Sequence, residues 1–399
     1  MSAKSFNTPV NTARYMRLAL IVGVVALVIA GVGLAITGPD AFFQAYLYSF
    51  LFWFGISAGS LGLLLLYHVA NGRWGLTIRR ITEAGASNMW VSAILFIPII
   101  FGLSYLYPWT KGLGDNPNLA FKATYLSMPF WLIRAVVFFA IWIILAWMIN
   151  RRTAKLVAAG PGARQAVRGR TQAIAAGSLL LFVLTMTFAA MDWIMSLQPL
   201  WTSTAFGLLT ITGQALTALA FAVLLLNLFP SLSLGRIWAA ENTPIPFKDL
   251  GALLLVFVTG WMYLMYFQFL IIWGANIPRE VIWFTERSKG GWTVLNFIIV
   301  IFQFVLPFLI LLSSRVRHNL RLLAGLSGML LFIYLLTTFW HVKPAFSPGV
   351  FAISWIDIVM PFAIGGLWLA GFFFNLAKRP SLTAEDEVIL EAAPQEAHA

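Results

Sequence analysis

The chain of 399 residues contains no cysteine. This excludes disulfides, thiolate zinc sites, iron–sulfur clusters and covalently attached haem within the polypeptide. Charge is also scarce. Only 10% of residues are charged, against about 25% in soluble domains. Histidine occurs four times. No P-loop, dinucleotide fingerprint, zinc-protease motif or haem-attachment motif is present. The chain therefore carries no nucleotide-hydrolysis site and no redox centre of its own. If it serves redox chemistry, the electrons leave through another polypeptide.

What is abundant is apolar surface, at 60% of residues. Only helices or closed barrels cross a bilayer. Barrel strands alternate apolar and polar residues, whereas the apolar runs here are continuous. An all-α integral membrane protein follows. A helical span needs about 20 apolar residues. That length gives ten spans, at 16–37, 42–70, 89–107, 125–149, 171–196, 204–229, 248–274, 291–313, 321–341 and 351–376. The first run follows Arg14 and Arg17. It is too long for a signal-peptide core and lacks a small-residue cleavage site, so it counts as a span. Residues 1–381 form one transmembrane domain, and 382–399 form an acidic tail. Weak internal repetition divides the spans into a first bundle at about 42–196 and a second at about 204–341.

The net charge is +12. The basic residues fall between apolar runs, which is a topology signal and not a nucleic-acid footprint. The N-terminus, the even loops and the C-terminus hold 19 Lys and Arg, the opposite side holds 6, and Arg134 lies within a span. Both termini are expected in the cytoplasm. Loop 151–170 is the most basic and suits topology plus anionic lipid headgroups. Tyr107, Trp109, Trp201, Trp283, Trp340 and Trp355 on one side, with Trp74 and Trp238 on the other, read as aromatic belts. Gly55, Ala58, Gly59 and Gly62 have the spacing that lets helices approach closely.

Ionisable residues inside spans are functional candidates by default. Three qualify in the outer half: Arg134 in span four, Asp192 in span five, and Asp357 about two turns into span ten. An arginine stays charged and needs a carboxylate, and Asp192 is the nearest in sequence. Two readings stay open: an ion pair that locks helices, or a proton-exchange or quinol-headgroup site. Thr171, Ser178, Thr185 and Asp192 recur every seven residues, so they share one helix face. Ser203, Thr210, Gln214 and Thr217 form a similar stripe in span six. If the stripes face each other, they can hold a proton-conducting chain of water. If not, the hydroxyls bond their own backbone. Pro361 frees the Asp357 carbonyl, and Pro307 does the same for Gln303. His68 and His341 fall at opposite faces, so they cannot share a haem iron, and no metal site is expected. His68 reads as an inner-side proton acceptor or a headgroup-level residue. The outer half offers no buried histidine.

Several runs resemble the F subunit of bacterial alternative complex III. They are Phe50-Leu51-Phe52-Trp53-Phe54-Gly55-Ile56, Tyr67-His68, Gly72-Arg73-Trp74-Gly75 and Leu106-Tyr107-Pro108-Trp109. Asp192-Trp193-Ile194-Met195-Ser196-Leu197, Gln268-Phe269-Leu270-Ile271-Ile272-Trp273 and Gly365-Gly366-Leu367-Trp368-Leu369 continue the series. The resemblance covers almost the whole chain in one register. It implies the polysulfide-reductase-like, NrfD-type fold of two four-helix bundles with two flanking helices. It further implies a complex in a bacterial inner membrane that oxidises menaquinol. Haem c and iron–sulfur clusters are then expected on partner subunits, alongside an NrfD-like C subunit. The family's F subunit is linked to a quinone site or a proton path. The alternatives are a secondary transporter, which broken midplane helices would favour, and a purely structural anchor.

Overall fold

A computed structural model describes residues 10–112, 122–232 and 247–379. Among these residues the regular structure is helical, with no strand. Nine helices are long and apolar enough to cross a membrane. The first, Thr12–Ala70, runs for 59 residues. At 1.5 Å per residue, a straight helix of that length would reach about 90 Å, three times a hydrocarbon core of about 30 Å.

It is not straight. Gly38 has φ of 83°, in the left-handed region that favours glycine, and Pro39 follows it. The two halves fold back on each other, and both pack along the last helix, Trp355–Ala377. Tyr15 stacks on Phe373, Gly23 abuts Leu367, and Gly33 abuts Trp355 and Ile356, so the first half runs antiparallel to that helix. In the second half, Tyr48 reaches Asp357, Trp53 reaches Pro361 and Ser57 reaches Trp368, so it runs parallel. One helix thus supplies spans one and two, and with the eight others the described residues contain ten segments long and apolar enough to cross a membrane.

Span three starts earlier than its hydropathy indicates. Its helices are Arg73–Ser87, Met89–Phe101 and Leu103–Leu106. They run antiparallel to span two, with Gly85 against Ser60 and Gly102 against Phe43. Residues 73–87 carry four charges, which mimics a loop. Arg79 and Glu83 sit one helical turn apart at 3.6 Å, and Arg379 approaches Glu83 at 3.8 Å, so this segment can be buried.

Span four is Met128–Val157 and span five is Pro161–Trp193. The expected basic loop 151–170 is therefore mostly the ends of two helices joined by a short turn. Span six is Phe206–Leu228, span seven Phe247–Ala275 and span eight Gly291–Leu312. Span eight widens into a π-helical segment, Val300–Val305, just before Pro307. A proline cannot supply the regular helix bond, and the wider turn accommodates it. Span nine is Leu320–Val342 and span ten is Trp355–Ala377.

Spans two to five close one ring of four helices, and spans six to nine close a second. Span two packs on span six and joins the rings, while spans one and ten flank the structure. Gly59 sits at the joint, where an added Cβ would collide with the Gln214 carbonyl. The end that holds 151–170 is called the basic end below. Four of the tryptophans read as belt, Trp109, Trp201, Trp283 and Trp340, are at most 4% exposed. They pack inward, with Trp201 stacked on Trp283 at 4.5 Å and Trp340 edge-on to it. The tail 382–399, Lys4, Arg236 and Trp238 lie outside the described residues.

Candidate functional site at the opposite end

Arg134 and Asp192 meet between spans four and five. The guanidinium donates to both carboxylate oxygens, Nε to Oδ2 at 2.7 Å and Nη2 to Oδ1 at 2.9 Å. Its Nη1 donates to the Tyr125 carbonyl, and its plane lies 3.8 Å over the Tyr125 ring. Trp131 donates to the Asp192 carbonyl. Both charges are buried and fully engaged, which is the geometry of a helix lock.

Asp357 does not share that arginine. It lies in the first turn of span ten, not two turns in, because the helix starts at Trp355. Its carboxylate accepts from the Ser354 backbone N–H and pairs with Lys343 at 2.8 Å. Lys343, a loop cation by its place in the sequence, is 7% exposed. The carbonyl that Pro361 frees accepts from the Tyr48 hydroxyl. The bond lost to proline is thereby replaced from span two.

The two hydroxyl stripes do not face each other. Asp192 and Thr185 turn to span four, where the Trp142 indole donates to Thr185 Oγ1 at 2.9 Å. Thr171, Thr185, Thr210 and Thr217 each bond a carbonyl of their own helix. Ser178 is buried on span five. Thr210 and Gln214 turn towards span nine. With Tyr334, Thr338 and His341 they line a cavity of about 10 Å³, enough for one water-sized group. Gln214 Oε1 and His341 Nε2 have no hydrogen-bond partner there. A buried histidine therefore does exist in this half, at 6% exposure. His341 stands at the end of span nine, as its place in the sequence indicates, but its ring packs inward, edge-on to Phe206.

At the basic end, His68 lies in the last turn of span two, 3% exposed, and its Nε2 lies 2.8 Å from Thr153 Oγ1. His68 and His341 sit near opposite ends of the bundle, as expected. Among the described residues no cluster of three His, Asp or Glu side chains can hold a metal. Gln303 in span eight is fully buried, with neither carboxamide atom partnered.

A cleft of about 640 Å³ lies between the end of span five, the segment joining it to span six, span seven and the segment before span four. Its walls are mainly apolar, including Met191, Met195, Phe267 and Ile271. Phe267 and Ile271 are also exposed, so the cleft opens on the apolar flank of span seven. Gln268 lines it, 3% exposed. Ser203 donates to Gln268 Oε1 at 2.8 Å, which leaves Nε2 as an unpartnered donor. Lys122 and Glu280 stand at its rim. Burial and then the charge of Arg279 push the Lys122 ammonium down. Burial and then the Asp192 carboxylate push the Tyr125 phenol up, so it stays neutral.

Arg287, in the short helix Pro278–Arg287, braces this end. It donates to Gln198 Oε1 and to the carbonyls of Trp283, Trp340 and His341. Burial pushes it down to about 9, opposed by Glu286, so it remains protonated at neutral pH. Neither Arg287 nor Gln268 stands out as a site in the sequence. A lone carboxamide inside the apolar run 250–275 was the available signal for Gln268. Comparison with protein-family models and with curated proteins gives no match.

Proposed function

We propose that the chain is a membrane subunit of a quinol-oxidising complex of the alternative complex III type. It sits in a bacterial inner membrane with its basic end in the cytoplasm. Menaquinol is the substrate of the complex. Haem c and iron–sulfur clusters belong to partner subunits, which include the multi-haem c subunits, the iron–sulfur subunit and the C subunit. The sequence resemblance supports this complex, and the charge asymmetry supports the orientation.

The observation that carries the reading is the cleft beside the Arg134–Asp192 pair. Ligand sites are mostly apolar, with few oriented polar groups. Here a lipid-side opening, apolar walls and one fixed donor, Gln268 Nε2, suit the ring and head oxygen of a quinol. Quinol oxidation needs a proton acceptor beside the hydroxyl. Asp192 and Asp357 are already committed to Arg134 and Lys343. Glu280, on the rim of the cleft, is the better placed carboxylate.

The test is Gln268→Leu in the intact complex, read as quinol-dependent reduction of the c haems. Losing one hydrogen bond of about 1 kcal/mol raises the quinol KM about fivefold, with assembly unchanged. An unchanged KM in an assembled complex would leave the chain as a structural anchor.

A further inference from the structure

A second cleft, of about 460 Å³, lies at the basic end. It is bounded by the Ala86–Trp90 stretch of span three, the last turns of span four and the end of span ten. Two arginines, Arg151 and Arg379, line it, and none of its described lining residues is acidic.

Span four grades its chemistry along one face. Ile143, Trp147 and Arg151 are spaced four apart, so they stack on one stripe towards the basic end. Trp147 is 55% exposed and Trp90 41%, so both rings stand where a bilayer interface would meet them. The Arg151 guanidinium lies 4.2 Å over the Trp147 ring, which holds it at the mouth. A parallel stripe of Ala146, Asn150 and Ala154 leaves the room that forms the cleft.

The floor is polar and incompletely bonded. Asn150 is 8% exposed and donates to Ser87 Oγ at 2.8 Å, and Arg379 Nη2 donates to the same oxygen at 2.5 Å. Asn150 Oδ1 has no partner, although its residue lines the cleft. Nearby, Glu83 is shared between Arg79 and Arg379, so among the described residues there positive charge is in excess. An arginine pair calls for phosphate. An orphaned carboxamide oxygen calls for a hydroxyl donor, and the apolar and aromatic wall calls for acyl chain.

We infer that this cleft holds one anionic phospholipid with a glycerol-type headgroup. The phosphate lies between Arg151 and Arg379, a headgroup hydroxyl donates to Asn150 Oδ1, and the first methylenes lie along Trp147 and Ile143. The site is separate from the quinol cleft and does not depend on it.

The experiment is native mass spectrometry of the full chain, alone or in its complex, after delipidation and titration with defined lipids. Phosphatidylglycerol or cardiolipin should be retained at one per chain over phosphatidylcholine. Arg151→Gln should weaken that retention about fivefold, since one basic residue contributes about 1 kcal/mol to an anionic lipid. Ala154→Phe, at an exposed lining position, fills the cleft without touching a charge and should abolish the retention while the melting temperature in detergent holds. Equal retention of phosphatidylcholine, or unchanged retention in both variants, would overturn the inference. So would displacement by millimolar inorganic phosphate, because the site would then recognise the free anion alone.

Discussion

At the residue scale, every intramembrane charge singled out from the sequence has a partner. The Arg134–Asp192 pairing was legible, because spans four and five form a hairpin and Asp192 was the nearest carboxylate. The partner of Asp357 was not. Lys343 reads as a loop cation until the 3-10 turn Lys343–Ala345 is seen to tuck it against span ten. Removing one member of a buried pair strands the other, at a cost of about 3–5 kcal/mol. Asp192→Asn is therefore expected to lower the melting temperature sharply. The double variant Arg134→Met with Asp192→Leu should recover most of the loss. If Asp192→Asn melts as the parent does, the pair is no lock, and the proton-exchange reading returns. Tyr48→Phe makes a narrower case. It leaves the Asp357 carbonyl, freed by Pro361, without its donor. A loss of about 1–3 kcal/mol is expected, measured by chemical unfolding in detergent.

At the element scale, the helices were legible wherever apolar residues ran uninterrupted. They were misread where charge is neutralised by packing. Span three begins at Arg73, yet hydropathy places it at 89, because Arg79, Arg80 and Glu83 look like loop. The Arg79–Glu83 pair is local, one helical turn apart, but the contact that completes it comes from Arg379, nearly 300 residues away, and no local pattern reveals that one. Proline and glycine gave a mixed signal. The gap at 38–41 between the first two apolar runs falls on the Gly38-Pro39 turn, and Pro307, which frees the Gln303 carbonyl, follows a π segment that its presence alone did not indicate. Helix contact through small residues was also readable in Gly59. Gly59→Ala drives a methyl group into the backbone of span six, and overpacking of this kind costs about 1–3 kcal/mol. Gly31→Ala serves as the control, since an added Cβ there meets nothing within 4 Å. Thermal melts should separate the two. Equal melting temperatures would mean that the two rings are not joined at Gly59.

At the scale of the whole molecule, two rings of four helices with two flanking helices place the large cleft at their junction. Composition announced an all-α membrane protein, and the lengths of the apolar runs gave ten spans, which the described helices match in number once Thr12–Ala70 is divided at Gly38. The cleft was not legible, because it is built from segments as distant as Lys122 and Glu280. The absence of cysteine makes the orientation directly testable. Ala158→Cys, at the exposed turn of the basic end, should react with an impermeant maleimide only in broken cells. Asn276→Cys, exposed at the opposite end, should react in intact ones. The reverse pattern would invert the topology.

Membership of an electron-transfer complex is the central claim, and gentle affinity isolation from native membranes tests it most directly. The haem spectrum should be read on the same sample in which the co-purifying polypeptides are identified. Multi-haem c and iron–sulfur subunits in fixed ratio with this chain are the expected result. A colourless chain that purifies alone as a stable monomer would contradict it.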